Sequence, residues 1–272
     1  MKKRELILEM FGKEKPIIGM VHLLPLSGSP NYGGDDESVK NRAVEDALAF
    51  ERAGLSGILV ENYGDAPYTK EKVKPHVVAQ MTDILKEIKK EVEIAVGVNV
   101  LRNDGFAALA IAKVTECEFV RINVFTGVAA TDQGLIEGKA AEIVKYKKEI
   151  GCEAKIFADV DVKHATQLYK RDVLTAAKEA VYRGGADGVI LTGKATGEEI
   201  NLEELKMLWT KVDFPVLAGS GITKENIANY YPYCDGMIIG SYFKNEKNPL
   251  STIDYQKVRL LFEELKKIRR DF

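Results

Sequence analysis

Short β-rich runs alternate with longer amphipathic ones from one end of the chain to the other, and this alternation limits the fold more than any other feature. The strand candidates are PIIGMVH (16–22), GILVENY (57–63), EIAVGVNV (93–100), FVRINVF (119–125), AKIFADVDV (154–162), GVILTG (188–193), PVLAGSG (215–221) and GMIIGSY (236–242). Helical periodicity fills 38–53, 76–90, 104–115, 137–150, 172–184, 202–211, 223–231 and a last segment from 251. Strands joined through helices must run parallel, and eight such units closing on themselves form a single (β/α)8 TIM barrel of α/β class. A doubly wound open sheet is the alternative, but no GxGxxG fingerprint follows the first strand. Asp104, Asn201 and Thr223 suit helix starts, and Gly54 and Gly184 suit helix ends. The phrases GLSGILVEN, GADGVILTG and CDGMIIGS resemble one another at the helix-to-strand handover, as repeated units would.

A length of 272 residues fits one barrel, so the expectation is one domain over 1–272, with 2–11 as a helix covering one end. The net charge of −2, with both signs interspersed, excludes the positive field that phosphate-backbone binding needs, so nucleic acid is not an expected partner. No apolar run approaches the roughly 20 residues that span a bilayer, and the location expected is cytoplasmic. Cys117, Cys152 and Cys234 are odd in number and widely spaced, as reduced thiols would be, and the three histidines make no zinc motif.

In a barrel both faces of each strand are covered, so polar residues inside strand runs need a reason. In the fifth run Ile156, Ala158, Val160 and Val162 share one face, leaving Phe157, Asp159, Asp161 and Lys163 toward the barrel axis. The fourth run divides Val120, Ile122 and Val124 from Arg121, Asn123 and Phe125; the third puts Asn99 with Ala95 and Gly97, the second Glu61 with Leu59, and His22 ends the first. These polar groups gather at the C-terminal ends of the strands, where barrel enzymes assemble their sites. An ion-pair network, Arg121 with Asp159 for instance, is the structural alternative for any one pair.

Two consecutive strands end in glycine-rich turns, Gly219-Ser220-Gly221 and Gly240-Ser241, and a strand passing directly into a helix there aims backbone N–H groups at an anion. Thr192 and Gly193, with Lys194, Thr196 and Gly197 in the sixth turn, could add donors. Three loops, 22–36, 63–75 and 126–138, exceed what connection requires and suit lids.

In order, and over nearly the whole chain, IGMVHLLPLSGSP, VENYGDAP, GVNVLRNDGFAALAIA, FVRINVFTGVAATDQGLIEG, FADVDVKHA, ILTGKATG, PVLAGSGIT and GMIIGSYFK resemble the BtpA/SgcQ family. Ser27 departs from the PLPGSP phrase the resemblance leads one to expect. The resemblance implies a phosphate-binding TIM barrel. It also implies two different settings, photosystem I biogenesis at the thylakoid surface and a sugar uptake and phosphorylation cluster, and it carries no catalytic residues.

Two functions follow as expectations. One is an isomerase, lyase or hydrolase acting on a small phosphorylated metabolite, a sugar phosphate or phosphoribosyl compound. Its phosphate would lie on Gly219, Ser220, Gly221, Gly240 and Ser241. Asp161 is the first choice for acid–base duty, with Asp159, Glu61, Arg121 and Asn123 around it. Asp159 and Asp161 could hold Mg²⁺, and no other cofactor is evident. Lys163 could form a Schiff base, and His164 or His22 could transfer protons. The other is a non-catalytic assembly or stability factor for a membrane complex, which calls for an exposed apolar patch that the sequence does not reveal. Self-association into a homo-oligomer is expected in either case.

Overall fold

The computed structural model describes residues 3–160, 165–169, 171–193 and 198–271. Its barrel strands are β1 (Ile17–His22), β2 (Gly57–Glu61), β3 (Ala95–Asn99), β4 (Phe119–Ile122), β7 (Lys155–Val160), β9 (Gly188–Leu191), β10 (Val216–Ala218) and β11 (Gly236–Ile239). All pair in parallel and close on themselves in the order β1-β11-β10-β9-β7-β4-β3-β2, the expected TIM barrel. Helices α2 (Asp36–Arg52), α3 (Pro75–Glu91), α4 (Gly105–Thr115), α5 (Ala140–Glu149), α6 (Val173–Lys178), α7 (Leu202–Lys211), α8 (Ile227–Tyr230) and α9 (Tyr255–Asp271) occupy the gaps between strands and the C-terminus.

The alternation read from the sequence decides which layer each residue enters. Val21, Ile58, Val60, Val96, Val98, Val120, Ile156 and Ala158 belong to the core between strands and helices. Ile18, Met20, Leu59, Phe119, Phe157, Ile190, Leu217 and Ile238 fill the barrel itself. Helix α1 (Lys3–Phe11) inserts Ile7 and Phe11 into that inner cluster, and the Phe11 ring meets Phe119 edge-on at 5.6 Å. The N-terminal helix therefore caps the end where the strands begin.

The repeated phrases at the strand starts have a shared physical cause. Asp187 and Asp235 stand immediately before β9 and β11. Their carboxylates accept amides at the starts of the neighbouring strands, Ile156 N at 2.8 Å and Val216 N at 2.9 Å. Glu118, before β4, does the same for Val96 N at 2.7 Å. The glycine after each aspartate leaves room for a neighbour: a Cβ on Gly188 would lie 2.7 Å from Phe157, and one on Gly236 2.9 Å from Leu217.

Strand ends run shorter than the sequence pattern. β4 stops at Ile122, so the alternation read through residue 125 breaks: Val124 packs with Ala129 and Ile136, and Phe125 joins the outer core. Asp104 and Asn201 cap their helices, accepting Ala107 N at 2.9 Å and Glu203 N at 3.0 Å. Thr223 does not cap: α8 starts four residues later, and Thr223 Oγ1 accepts the turn amide of Glu225 at 3.2 Å. The segment 126–138, expected as an open loop, folds as a hairpin of β5 (Val128–Thr131) and β6 (Gly134–Glu137), extended by β8 (Ala165–Gln167) on the other edge of β5. Ala129, Ile136 and Ala165 bury one face of this small sheet against Val124.

Candidate active site at the barrel mouth

A cavity of about 360 Å³ opens at the C-terminal ends of the strands. His22 of β1, Glu61 of β2, and Arg121 with Asn123 at the end of β4 line it from one side. Gly219 to Gly221 after β10 and Gly240-Ser241 after β11 line it from the other. In the closed order β10 stands opposite β3, and β11 opposite β4, so the two glycine turns face the arginine side across the barrel axis.

Arg121 is fixed as a fork. Its Nε and Nη2 donate to the two Asp159 oxygens, each at 2.8 Å, and Asn123 Nδ2 donates to Asp159 Oδ2 at 3.0 Å. Burial works to lower the Arg121 pKa, but the Asp159 and Glu61 carboxylates outweigh it and hold the guanidinium above its ordinary range. Asn99 Nδ2 supports this group from behind, donating to Asn123 Oδ1 at 3.1 Å and Arg121 O at 2.9 Å. Asn99 Oδ1 is buried with no hydrogen-bond partner among the described residues. Asp159 and Asn99 are not among the cavity's lining groups; both carboxylate oxygens of Asp159 are already used, so it acts as the counter-ion that positions Arg121.

On the same side as Arg121, His22 Nδ1 lies 3.1 Å from Pro249 O, which can only accept, so Nδ1 carries hydrogen. His22 Nε2 is then directed to Glu61 Oε1 at 3.9 Å, while Glu61 Oε2 lies 3.9 Å from Arg121 Nη1. The Tyr63 ring packs on His22 with centroids 4.7 Å apart. An imidazole, a carboxylate and a guanidinium therefore lie side by side on the cavity wall, the groups needed to move a proton and stabilise the charge that results.

The glycines of the opposite wall have packing reasons as well as exposure to the cavity. Gly221 has φ +59°, and a Cβ there would come 2.4 Å from Glu198 O. A Cβ on Gly193 would press on the same carbonyl, and the Gly219 amide is spent on Leu191 O at 2.9 Å. Thr192 is buried and, like Gly193, is not among the cavity's lining groups. Lys194, Thr196 and Gly197 lie outside the described residues, as do Asp161, Lys163 and His164. Among the described residues no group of three or more His, Cys, Asp or Glu could hold a metal ion, and the Asp159–Asp161 pair has only Asp159 inside them.

Four lining residues with polar side chains escaped the sequence reading. Arg102 follows β3 and is buried among charges; burial lowers its pKa, with Asp159 and Glu61 opposing. Tyr63 and Tyr68 come from the loop after β2, where Tyr68 Oη donates to Tyr63 O at 2.7 Å. Asp132 reaches the rim from the turn between β5 and β6. All sit on loops that fold back over the mouth, and strand alternation carries no signal for such a path. The Leu-Arg-Asn-Asp run directly after an apolar strand was the one hint available for Arg102.

Taken together, these features define a (β/α)8-barrel protein with a polar, charge-paired cavity at the C-terminal mouth. Residues 13–267 match the model of the BtpA family, and the chain belongs to that family. It is 47% identical to a protein of Archaeoglobus fulgidus over 90% of this chain and 96% of that one. It is 43% identical to the photosystem I biogenesis protein BtpA of Synechocystis over 94% and 90%. Among solved structures it resembles GGGPS from Thermoplasma volcanium at TM-score 0.59 and 17% identity, covering 98% of each chain. Thiamine phosphate pyrophosphorylase from Pyrococcus furiosus gives TM-score 0.56 and 18% identity, covering 93% of this chain and 96% of that one. These structural likenesses speak to the fold. No helix among the described residues is long and apolar enough to cross a membrane.

Proposed function

We propose that this protein is an enzyme that binds a small phosphorylated metabolite in the barrel mouth and transfers a proton at the bound molecule, as an isomerase, lyase or hydrolase does. The observation that carries the reading is that one cavity is bordered by both glycine turns and by His22, Glu61 and Arg121. The phosphate would lie against Ser220, Gly221, Gly240 and Ser241, in the place where phosphate-binding barrels grip their ligands. His22 Nε2 and Glu61 would exchange the proton, while Arg121 and Arg102 would stabilise negative charge developing on a carbonyl or leaving oxygen. Asp161, two residues after Asp159, stays within the proposal as a further acid–base group and as a ligand for Mg²⁺, and Lys163 stays as the amine that would form a Schiff base. Two barrels of like fold carry names that point the same way: thiamine phosphate pyrophosphorylase from Pyrococcus furiosus, and phosphoribosyl anthranilate isomerase from Thermus thermophilus.

The test is binding. Ribose 5-phosphate and inorganic phosphate should raise the melting temperature saturably, and Ser241→Asp, which sets a carboxylate beside the anion, should abolish the rise. No response to any phosphorylated ligand in the wild-type protein would end the proposal.

A second reading, a non-catalytic assembly factor, draws on one observation. The open face of the β6-β5-β8 sheet carries Val128, Ala130, Leu135 and, just past β8, Leu168, with Leu135 45% and Leu168 60% exposed. Such a face suits a protein partner or a second copy of the chain, and the Synechocystis relative is named for photosystem I biogenesis. Homo-oligomer formation belongs to this proposal too. Light scattering checks it, and Leu168→Glu should lower the mass if that face is the contact.

A further inference from the structure

Beside the mouth lies a second cavity of about 270 Å³, and Tyr68 and Leu101 form part of the wall of both. We infer that the substrate has two parts, a phosphate-bearing part in the mouth and a planar aromatic or heterocyclic ring in this adjoining groove. The inference rests on the proposed reading of the mouth.

The groove's chemistry selects a ring over a second sugar. Pro30, Pro67, Val77, Leu101 and the Tyr68 ring supply apolar and flat surface. The polar groups at its base are already committed to building the loop. Asn62 Oδ1 accepts Leu101 N at 2.7 Å, Asn62 Nδ2 donates to Asp65 Oδ2 at 3.0 Å, and Asp65 Oδ1 accepts Leu26 N at 2.8 Å. A polyhydroxylated group would find few partners there and lose its hydration. What remains is a small set of edge contacts. Ser29 Oγ is a buried hydroxyl with no hydrogen-bond partner among the described residues, and Lys74 and His76, both exposed, also line the groove. An apolar-walled slot with a few polar groups at its margin is what a flat ring with heteroatoms on its edge requires. The Tyr68 hydroxyl, bonded to Tyr63 O, holds its ring in place as the partition between the two compartments.

The probes are inorganic phosphate, ribose 5-phosphate and adenosine 5′-monophosphate, the last adding a heterocycle to the second, with affinities measured by calorimetry. The expected result is adenosine 5′-monophosphate binding about tenfold more tightly than ribose 5-phosphate, the scale of one stacked ring. Val77→Phe, which fills the groove, should erase that increment and leave ribose 5-phosphate within about twofold of wild type. Ser29→Ala, a change too small to threaten folding, should weaken adenosine 5′-monophosphate alone by about threefold or more. Equal affinity of the two probes for the wild-type protein overturns the inference while the phosphate site stands. So does an increment that survives both substitutions. Failure of ribose 5-phosphate and phosphate alike to bind overturns the reading of the mouth, and the inference with it.

Discussion

At its N-terminal end the barrel is plugged by Ile7, Phe11, Phe119 and Phe157, while at its C-terminal end the same interior holds Arg121, Asp159, Asn123, Glu61 and His22. The first set packs through ring contacts such as Phe119 on Phe157 at 6.0 Å. Its strands start on repeated devices, an acidic side chain on the adjacent strand's amide and a glycine beneath a neighbouring side chain. The second set repeats nothing: each strand end contributes a different group, and the groups are held by charge and hydrogen bonds. Repetition marks what every βα unit needs in order to pack, and departure from it marks what only the site needs. The ends should therefore answer mutation differently, the plug through stability alone and the mouth through stability and binding together.

The sharpest break of this contrast is Asp159→Ala set against Phe119→Ala. Removing Asp159 leaves the buried Arg121 fork without its counter-ion, a loss on the order of 3–5 kcal/mol, and frees Arg121 from the position it holds at the cavity. Phe119→Ala should cost a similar 3–5 kcal/mol or so through the void it leaves among Phe11, Gly97 and Phe157. Urea denaturation should show comparable losses, while calorimetry with ribose 5-phosphate should show binding lost only in Asp159→Ala. Equal binding by both variants would dissolve the distinction between the ends.

Gly221→Ala comes next in size, because it tests a mouth residue with a packing duty. The φ of +59° alone disfavours alanine by about 1–2 kcal/mol, and the Cβ would press on Glu198 O. Stability should fall by at least that amount, and phosphate affinity should fall with it because the turn must shift. Ser241→Asp is the matched control, since it should remove phosphate binding with a stability change within about 0.5 kcal/mol. If Gly221→Ala alters stability and leaves phosphate affinity untouched, the turn belongs with the structural glycines of the other end.

The same contrast explains what the sequence made legible. The barrel, its eight strands, the terminal cap and the inward set Phe157, Asp159, Arg121 and Glu61 followed from alternation, because burial on both faces leaves few places for a charge. The role of Asp159 did not follow. Alternation shows that a side chain points inward but not whether its oxygens are already used, and here Arg121 and Asn123 use both. Nor did the pattern show the hairpin that brings Asp132 to the rim, or Arg102 and Tyr68. Those residues reach the cavity by the trajectory of loops, which short-range periodicity does not encode. The exposed apolar face of the small sheet escaped for the same reason, since Leu135 and Leu168 come onto one face only after β5 pairs with both β6 and β8.

The smallest effect expected concerns the joint between the mouth and the helix layer. Lys244, three residues past Ser241, is fully buried and donates to Asp46 Oδ2 of α2 at 2.6 Å, while Arg42 holds the other Asp46 oxygen at 3.1 Å. Burial lowers the Lys244 pKa, and the Asp46 carboxylate only partly restores it. Folded protein therefore binds fewer protons at this site than unfolded protein between the lowered value and the ordinary lysine range, so the contribution of this group to stability grows as pH rises through that window and is lost as pH falls through it. Lys244→Met, with Arg42 still pairing Asp46, removes the titrating group. Its urea midpoint should rise less than that of wild type, or fall more, as pH climbs toward the ordinary lysine value of roughly 10.5. Ribose 5-phosphate binding at pH 7 should survive, because the lysine anchors the strand end from outside the cavity. Parallel midpoint curves for the two proteins would mean that the joint does not titrate in this range, and loss of binding in Lys244→Met would move this buried pair from the scaffold into the site.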